Sequence, residues 1–274
     1  MASQPRTKAI FFDLMGTCCD WLSSILPLIS TLPPHPSIEP KELALAWRAG
    51  FFQEIHVRFS LDLPAEDIDI THRRVLDQLL TEKGIGLDDD GWGSQMREKL
   101  VQQWHVQVAW ADVIPALTAL RSDTHTRWYL VVLANGTTRL QLDIASSSNI
   151  PFHTLLSSEL LGLTKPDPRI YRKAMQLVKL EPKDCVMLAS HLYDLEAAKK
   201  VGMKTVYVHR DTEDVGIAIE EDMDAGGHEF DYVDSYCDGR EGQDGFGVAV
   251  KCLMREARRE VKREAERESL HVSG

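Results

Sequence analysis

Asp13 closes the apolar run "KAIFF", and a Gly-Thr turn holding Thr17 follows at once. The pattern recurs: Asn135 closes "VVLAN", Lys165 sits in "TKPDP", and Ser190, His191 and Asp194 follow "CVMLA". A carboxylate at such a place either caps the next turn or faces a ligand, where it can act as a nucleophile. Taken singly, each residue is ordinary. Taken together they matter, because ligands of an open parallel sheet sit beyond the carboxyl ends of its strands. Met15, two residues after Asp13, carries a thioether and cannot transfer a proton.

The elements that must position these residues are legible from hydrophobic pattern. "AIFFDLM", "WYLVVLAN", "CVMLAS" and "KTVYVH" read as buried strands, with helical patterns such as "ADVIPALTALRS" and "DPRIYRKAMQLVKL" between them. Alternating apolar strands and amphipathic helices predict an α/β fold, a Rossmann-like parallel sheet covered on both faces. Between the first two strands, "LPLISTLPPHPSIEP" reads as a proline-rich connection, followed by helices over "KELALAWRAGFFQEIHVRF" and "DITHRRVLDQLLTEKGIG". The expected organisation is an α/β core over 1–20 and 109–250, a helical insertion over 21–108, and a charged C-terminal helix with a fraying tail over 251–274.

Composition narrows the function classes. Of 274 residues, 43% are apolar and 27% charged, as in a water-soluble globular protein. No apolar run could span a bilayer, and the N-terminus lacks a secretory h-region, so the expectation is a cytoplasmic protein with reduced cysteines and no membrane partner. Forty-two Asp and Glu against 31 Lys and Arg give a net charge of −11, which argues against nucleic acid as a partner. Residues 211–244 hold thirteen of the acids and one Arg, and read as a solvated loop region rather than a cation or partner site.

The order Asp-x-x-Gly-Thr, then Asn-Gly after a strand, then Lys-Pro-Asp, then Asp before a helix, resembles the haloacid dehalogenase (HAD) superfamily over residues 8–210, closest to its type II 2-haloacid dehalogenase branch. "KPDPRIY" and the "YD" pair carry that resemblance, the helical insertion resembles the family's cap, and "AWRAG" its substrate-clamping arginine segment. The resemblance implies a metal-independent hydrolase without cofactor. Asp13 would attack a substrate carbon to form an ester that water hydrolyses. Lys165 would hold Asp13 ionised, Thr17 would hydrogen-bond it, and Asp194 would fix Lys165 or position water. Arg48 would clamp a substrate carboxylate, with Met15, Asn135, Tyr171 and Ser190 completing the substrate site in a cleft between cap and core. Phosphatase branches carry a second Asp where Met15 stands and a further acid where Ser190 stands, so magnesium-dependent phosphoryl transfer fits less well.

Departures from the branch are local. Ala134 and Ala189 replace serines, His191 replaces an asparagine, and Met15 replaces a tyrosine; Thr137 is the nearest substitute for the hydroxyl lost at Ala134. His191 reads either as a general base titrating near neutrality or as a histidine hydrogen-bonded at a strand end. Trp47, Trp104 and Trp110 read as packing between insertion and core. His56 and Arg58 could face either the pocket or solvent. Two alternatives stay open: the fold reused for isomerisation or cyclisation of an apolar small molecule, and an inactive small-molecule binder. A homodimer through the C-terminal helix also stays open.

Overall fold

The computed structural model describes residues 6–64, 66–89, 91–219 and 230–272. Strand β1 (Arg6–Phe12) is the centre of a parallel sheet. It pairs with β4 (Thr126–Ala134) on one side and β6 (Cys185–Ala189) on the other. Strands β5 (Thr154–Ser157), β7 (Lys204–His209) and β8 (Ser235–Asp238) complete the order β5-β4-β1-β6-β7-β8. Both faces of the centre are covered, which is why its strands are apolar without alternation. Ile10 and Phe12 pack on one face with α5 (Val113–Arg121), α6 (Thr138–Ser148) and the C-terminal helix Gly245–Val272. Ala9 and Phe11 pack on the other with α7 (Ser158–Leu161), α8 (Pro168–Val178) and α9 (Leu192–Lys200). Full burial of Phe11 and Phe12 stabilises the fold by roughly 1.5–3 kcal/mol each.

The α/β expectation holds, and among the described residues the parallel sheet has two strands more than the sequence pattern marks. β5 and β8 are four-residue edge strands with half-exposed positions, so neither carries a continuous apolar run.

Between β2 (Cys19–Asp20) and β3 (Val108–Ala109) the chain leaves the sheet for four helices: α1 (Trp21–Ser30), α2 (Pro40–Ser60), α3 (Ile68–Glu82) and α4 (Ser94–Gln103). β2 and β3 pair antiparallel, Cys19 opposite Ala109 and Asp20 opposite Val108, so exit and return lie side by side. The helices share their own apolar cluster around Trp21, Trp47, Trp104, Leu76 and Leu100. The proline-rich connection is shorter than its composition suggests. Pro27 lies inside α1, whose N-cap Asp20 accepts from Ser23 N, and only residues 31–39 connect α1 to α2.

Candidate active site

The sheet delivers Asp13 to its carboxyl edge. Asp13 N donates to Leu188 O at 3.1 Å, extending the β1–β6 pairing one residue beyond the strand. The carboxylate is then met from three sides. Lys165 Nζ donates to Oδ1 at 2.8 Å, Thr17 Oγ1 donates to Oδ2 at 2.8 Å, and His191 Nδ1 lies 3.1 Å from Oδ2. Burial alone would raise this carboxyl's pKa, but Lys165 and then His191 outweigh it and hold the group well below the usual carboxylate range. Lys165 also donates to Asp194 Oδ2 at 2.5 Å, and its ammonium is fully buried. Burial would favour a neutral amine; the two carboxylates keep it charged by raising its pKa.

Backbone geometry holds Lys165 in place. Asn135 reads both sides of its peptide, accepting from Lys165 N at 2.8 Å and donating to Lys165 O at 3.1 Å. Thr17 is oriented likewise, because its oxygen accepts Ser190 N–H at 2.9 Å and so turns its own hydrogen toward Asp13.

Glu213 is the residue that sequence reasoning missed. It comes from the loop after β7, is buried, and lies 2.6 Å from His191 Nε2. Trp21 Nε1 donates to it at 2.6 Å, and Arg48 Nη2 stands 3.4 Å away. Burial would raise its pKa; Arg48 and His191 lower it, so it stays ionised. The acidic stretch is therefore not simply a solvated loop: its described start enters the site, and residues 220–229 lie outside the described residues. The turn at Gly16 makes room, with φ +87° and a hypothetical Cβ only 2.3–2.6 Å from the Glu213 carboxylate.

His191 is thus flanked by two carboxylates. Burial would depress its pKa, but the bonds to Asp13 and Glu213 push it up to about 10. Of the two readings of His191, the geometry agrees with the hydrogen-bonded one, and the raised pKa favours the charged ring over a base titrating near neutrality.

Arg48, from α2, reaches the same place. Its guanidinium lies 4.3 Å over the Phe52 ring, Nη1 meets Met15 Sδ at 3.1 Å, and Nη2 donates to Met15 O at 3.2 Å. Arg48 Nε is buried with no hydrogen-bond partner among the described residues. A cleft of about 60 Å³ lies beside it, lined by Asp13, Met15, Arg48, Asn135, His191 and Tyr193, with Phe51, Phe52, Ile55 and Ile68 from the inserted helices. At roughly 10–15 Å³ per water this holds about four to six water-sized groups. Arg48, Phe52, His191 and Tyr193 also line a wider opening of about 430 Å³ on the outer side.

Two expected substrate contacts turn inward instead. Tyr171 is fully buried and donates to Asp194 Oδ1 at 2.5 Å, and Ser190 Oγ donates to Val208 O at 2.5 Å. Neither lines the cleft. Thr137, offered as a substitute hydroxyl, caps α6 by accepting from Leu140 N. Arg58 points to Pro64 O and Glu66, whereas His56 lines the outer opening. Trp47 and Trp104 pack within the insertion; Trp110 donates to Gly16 O at 2.9 Å and stacks on Arg210, which is paired with Asp112.

A buried, ionised carboxylate at the carboxyl edge of a Rossmann-like sheet, faced by inserted helices, defines a class, and comparison agrees. The family model for haloacid dehalogenase-like hydrolases matches residues 7–202, and the chain belongs to that family. Within it, the chain resembles 2-haloacid dehalogenases at low identity. It is 23% identical over 205 residues to (S)-2-haloacid dehalogenase 4A of Burkholderia cepacia, covering 74% of this chain and 83% of that protein. One solved L-2-haloacid dehalogenase is 28% identical with a TM-score of 0.72, over 90% of this chain and 98% of the other. A defluorinating L-2-haloacid dehalogenase is 30% identical with a TM-score of 0.64, over 74% and 81%. No helix among the described residues is long and apolar enough to cross a membrane.

Proposed function

We propose that the protein hydrolyses short (S)-2-halo acids through a covalent ester on Asp13, without a metal. The observation that carries this reading is Asp13 itself, ionised between Lys165 and Thr17 at the wall of a small cleft. Oδ2 takes two hydrogen bonds and Oδ1 one, so Oδ1 keeps a lone pair for attack. The new bond joins Oδ1 to the substrate's C2 as the carbon–halogen bond breaks and halide departs. Water then adds to the Asp13 carboxyl carbon, the bond from that carbon to Oδ1 breaks, and the departing alkoxide takes up one of the water's two protons, beside Lys165, which Asp194 holds in place. The products are a 2-hydroxy acid, halide and one proton.

Arg48 would receive the substrate carboxylate, with its unpartnered Nε–H the free donor. Lys165 already neutralises both Asp13 and Asp194, Ser190 Oγ is turned to Val208 O, and the Met15 side chain offers no hard oxygen ligand, so these residues do not fit a divalent cation. Turnover is therefore expected to persist in EDTA. The test is halide release from (S)-2-chloropropionate in ¹⁸O water, with mass analysis of the peptide holding Asp13. Label in that carboxylate supports the reading. Absence of halide release across a panel of short 2-halo acids would refute it.

A further inference from the structure

We propose that His191 is a catalytic hydrogen-bond donor for ester hydrolysis, and that Glu213 is the positioning residue that aims it. The inference rests on the covalent reading above and concerns its second half. In the ester, Asp13 Oδ1 is bonded to the substrate carbon and Oδ2 is the carbonyl oxygen. Oδ2 already faces Thr17 Oγ1 at 2.8 Å and His191 Nδ1 at 3.1 Å. When water adds to the carboxyl carbon, the C=O π pair moves onto Oδ2. Those two donors then hold the oxyanion until it collapses and the bond to Oδ1 breaks. Preorganised donors at such a position are worth most in a buried site.

Hydrogen-bond inventory supports the assignment. Asp13 and Glu213 are ionised carboxylates and can only accept, so both His191 nitrogens must donate. Thr17 is oriented by Ser190 N–H, and His191 by Glu213, itself held by Trp21, so neither donor reorganises during the step. Esterification removes the Asp13 charge, leaving Glu213 as the carboxylate that keeps the imidazole charged. The other titratable or charged groups around His191 are Arg48 and His56 from α2, Tyr193 from α9, and Asp214 beside Glu213.

The experiment is rapid-quench kinetics with (S)-2-chloropropionate, following halide and the mass of the Asp13 peptide from pH 6 to 9. In the unaltered protein, ester hydrolysis should vary less than about threefold over that range. Glu213→Gln should release a burst of about one halide per site and accumulate the ester. Its hydrolysis should slow by about 10²-fold and decline further as pH rises through neutrality. His191→Asn, which keeps a neutral donor, should be slowed but pH-independent. Equal slowing of halide release and hydrolysis in Glu213→Gln, or a pH profile unchanged by it, would overturn the assignment. So would a tenfold fall between pH 6 and 8 in the unaltered protein, which tests the idea even if a variant does not fold. Turnover with no ester on Asp13 in any form would instead overturn the covalent reading. Without turnover, the ¹⁵N resonances of His191 decide: both nitrogens protonated at pH 8 supports the assignment, and a neutral ring refutes it.

Discussion

Lys165→Met leaves Asp13 and Asp194 buried with no ammonium between them. In the intact site Nζ lies 2.8 Å from one and 2.5 Å from the other. Removing one partner of a buried ion pair costs about 3–5 kcal/mol. At about 2–4 °C per kcal/mol for a domain of this size, the melting temperature should fall by roughly 6–20 °C. The pH dependence is the sharper test. In the intact protein the folded-state pKa of Asp13 is depressed, so its contribution is full above the unfolded value and lost only as pH falls through the folded one. In the intact site burial and then Asp13 already raise the Asp194 pKa, with Lys165 opposing them; in the variant Asp13 keeps His191, whereas Asp194 keeps Tyr171 but loses Lys165, so its pKa rises further. A carboxyl with a raised pKa destabilises the charged form, so the variant loses stability as pH rises. The gap between the two proteins should be wider at pH 7.5 than at pH 5, by about 1.4 kcal/mol for each unit that Asp194 is raised into that window. Thermal melts at both pH values measure it. A gap that is equal at the two pH values, or a drop under about 2 °C, would refute the charge assignment.

Tyr171→Phe removes the hydroxyl from Asp194 Oδ1 and leaves a buried carboxylate oxygen short of a partner. It should cost about 1–3 kcal/mol of stability by denaturant titration. KM for the substrate should not move, because Tyr171 does not line the cleft; a raised KM would return it to the substrate site. His105 joins the insertion to the core, with Nε2 3.1 Å from Asp69 and Nδ1 2.9 Å from Asp143. The Asp69 bond raises its pKa against partial burial, helped by Asp143. Its contribution is then complete below the ordinary histidine value and lost as pH rises through the folded one. The melting-temperature deficit of His105→Gln should therefore be larger at pH 6 than at pH 9, and the reverse order would contradict the arrangement.

Most of the sheet is legible in sequence because its four long strands are buried on both faces and so are continuously apolar. The edges are not, since β5 and β8 expose part of a short backbone. In the site, strand ends point to Asp13, Asn135 and Asp194, and the same rule applies to Glu213. "KTVYVH" ends at His209, and Glu213 follows four residues later. The charge run hid it: thirteen acids in one segment suggest solvation, and nothing in spacing says which one is buried. Tyr171 and Ser190 are misjudged for a related reason. Sequence order gives their nearness to Lys165 and Asp194, whereas the direction of each hydroxyl depends on tertiary packing.

Charge balance links the site to its proposed chemistry. Among the described residues the connected network holds three carboxylates, Asp13, Asp194 and Glu213, and three cations, Lys165, His191 and Arg48. A substrate carboxylate entering beside Arg48 adds one negative charge to a neutral, buried cluster. Alkylation removes it, because Asp13 becomes a neutral ester and the displaced charge departs with halide. The network thus opposes the bound substrate and favours the ester, which is stabilisation that grows along the reaction. A phosphate monoester would gain no such relief, since a phosphorylated aspartate retains the anionic charge. Asp13→Asn tests the idea directly. It should abolish turnover and yet bind propionate more tightly than the unaltered protein, by about tenfold or 1.4 kcal/mol in titration calorimetry. Equal or weaker binding by Asp13→Asn would show that the charge of Asp13 does not oppose the carboxylate, and the balance argument would fail.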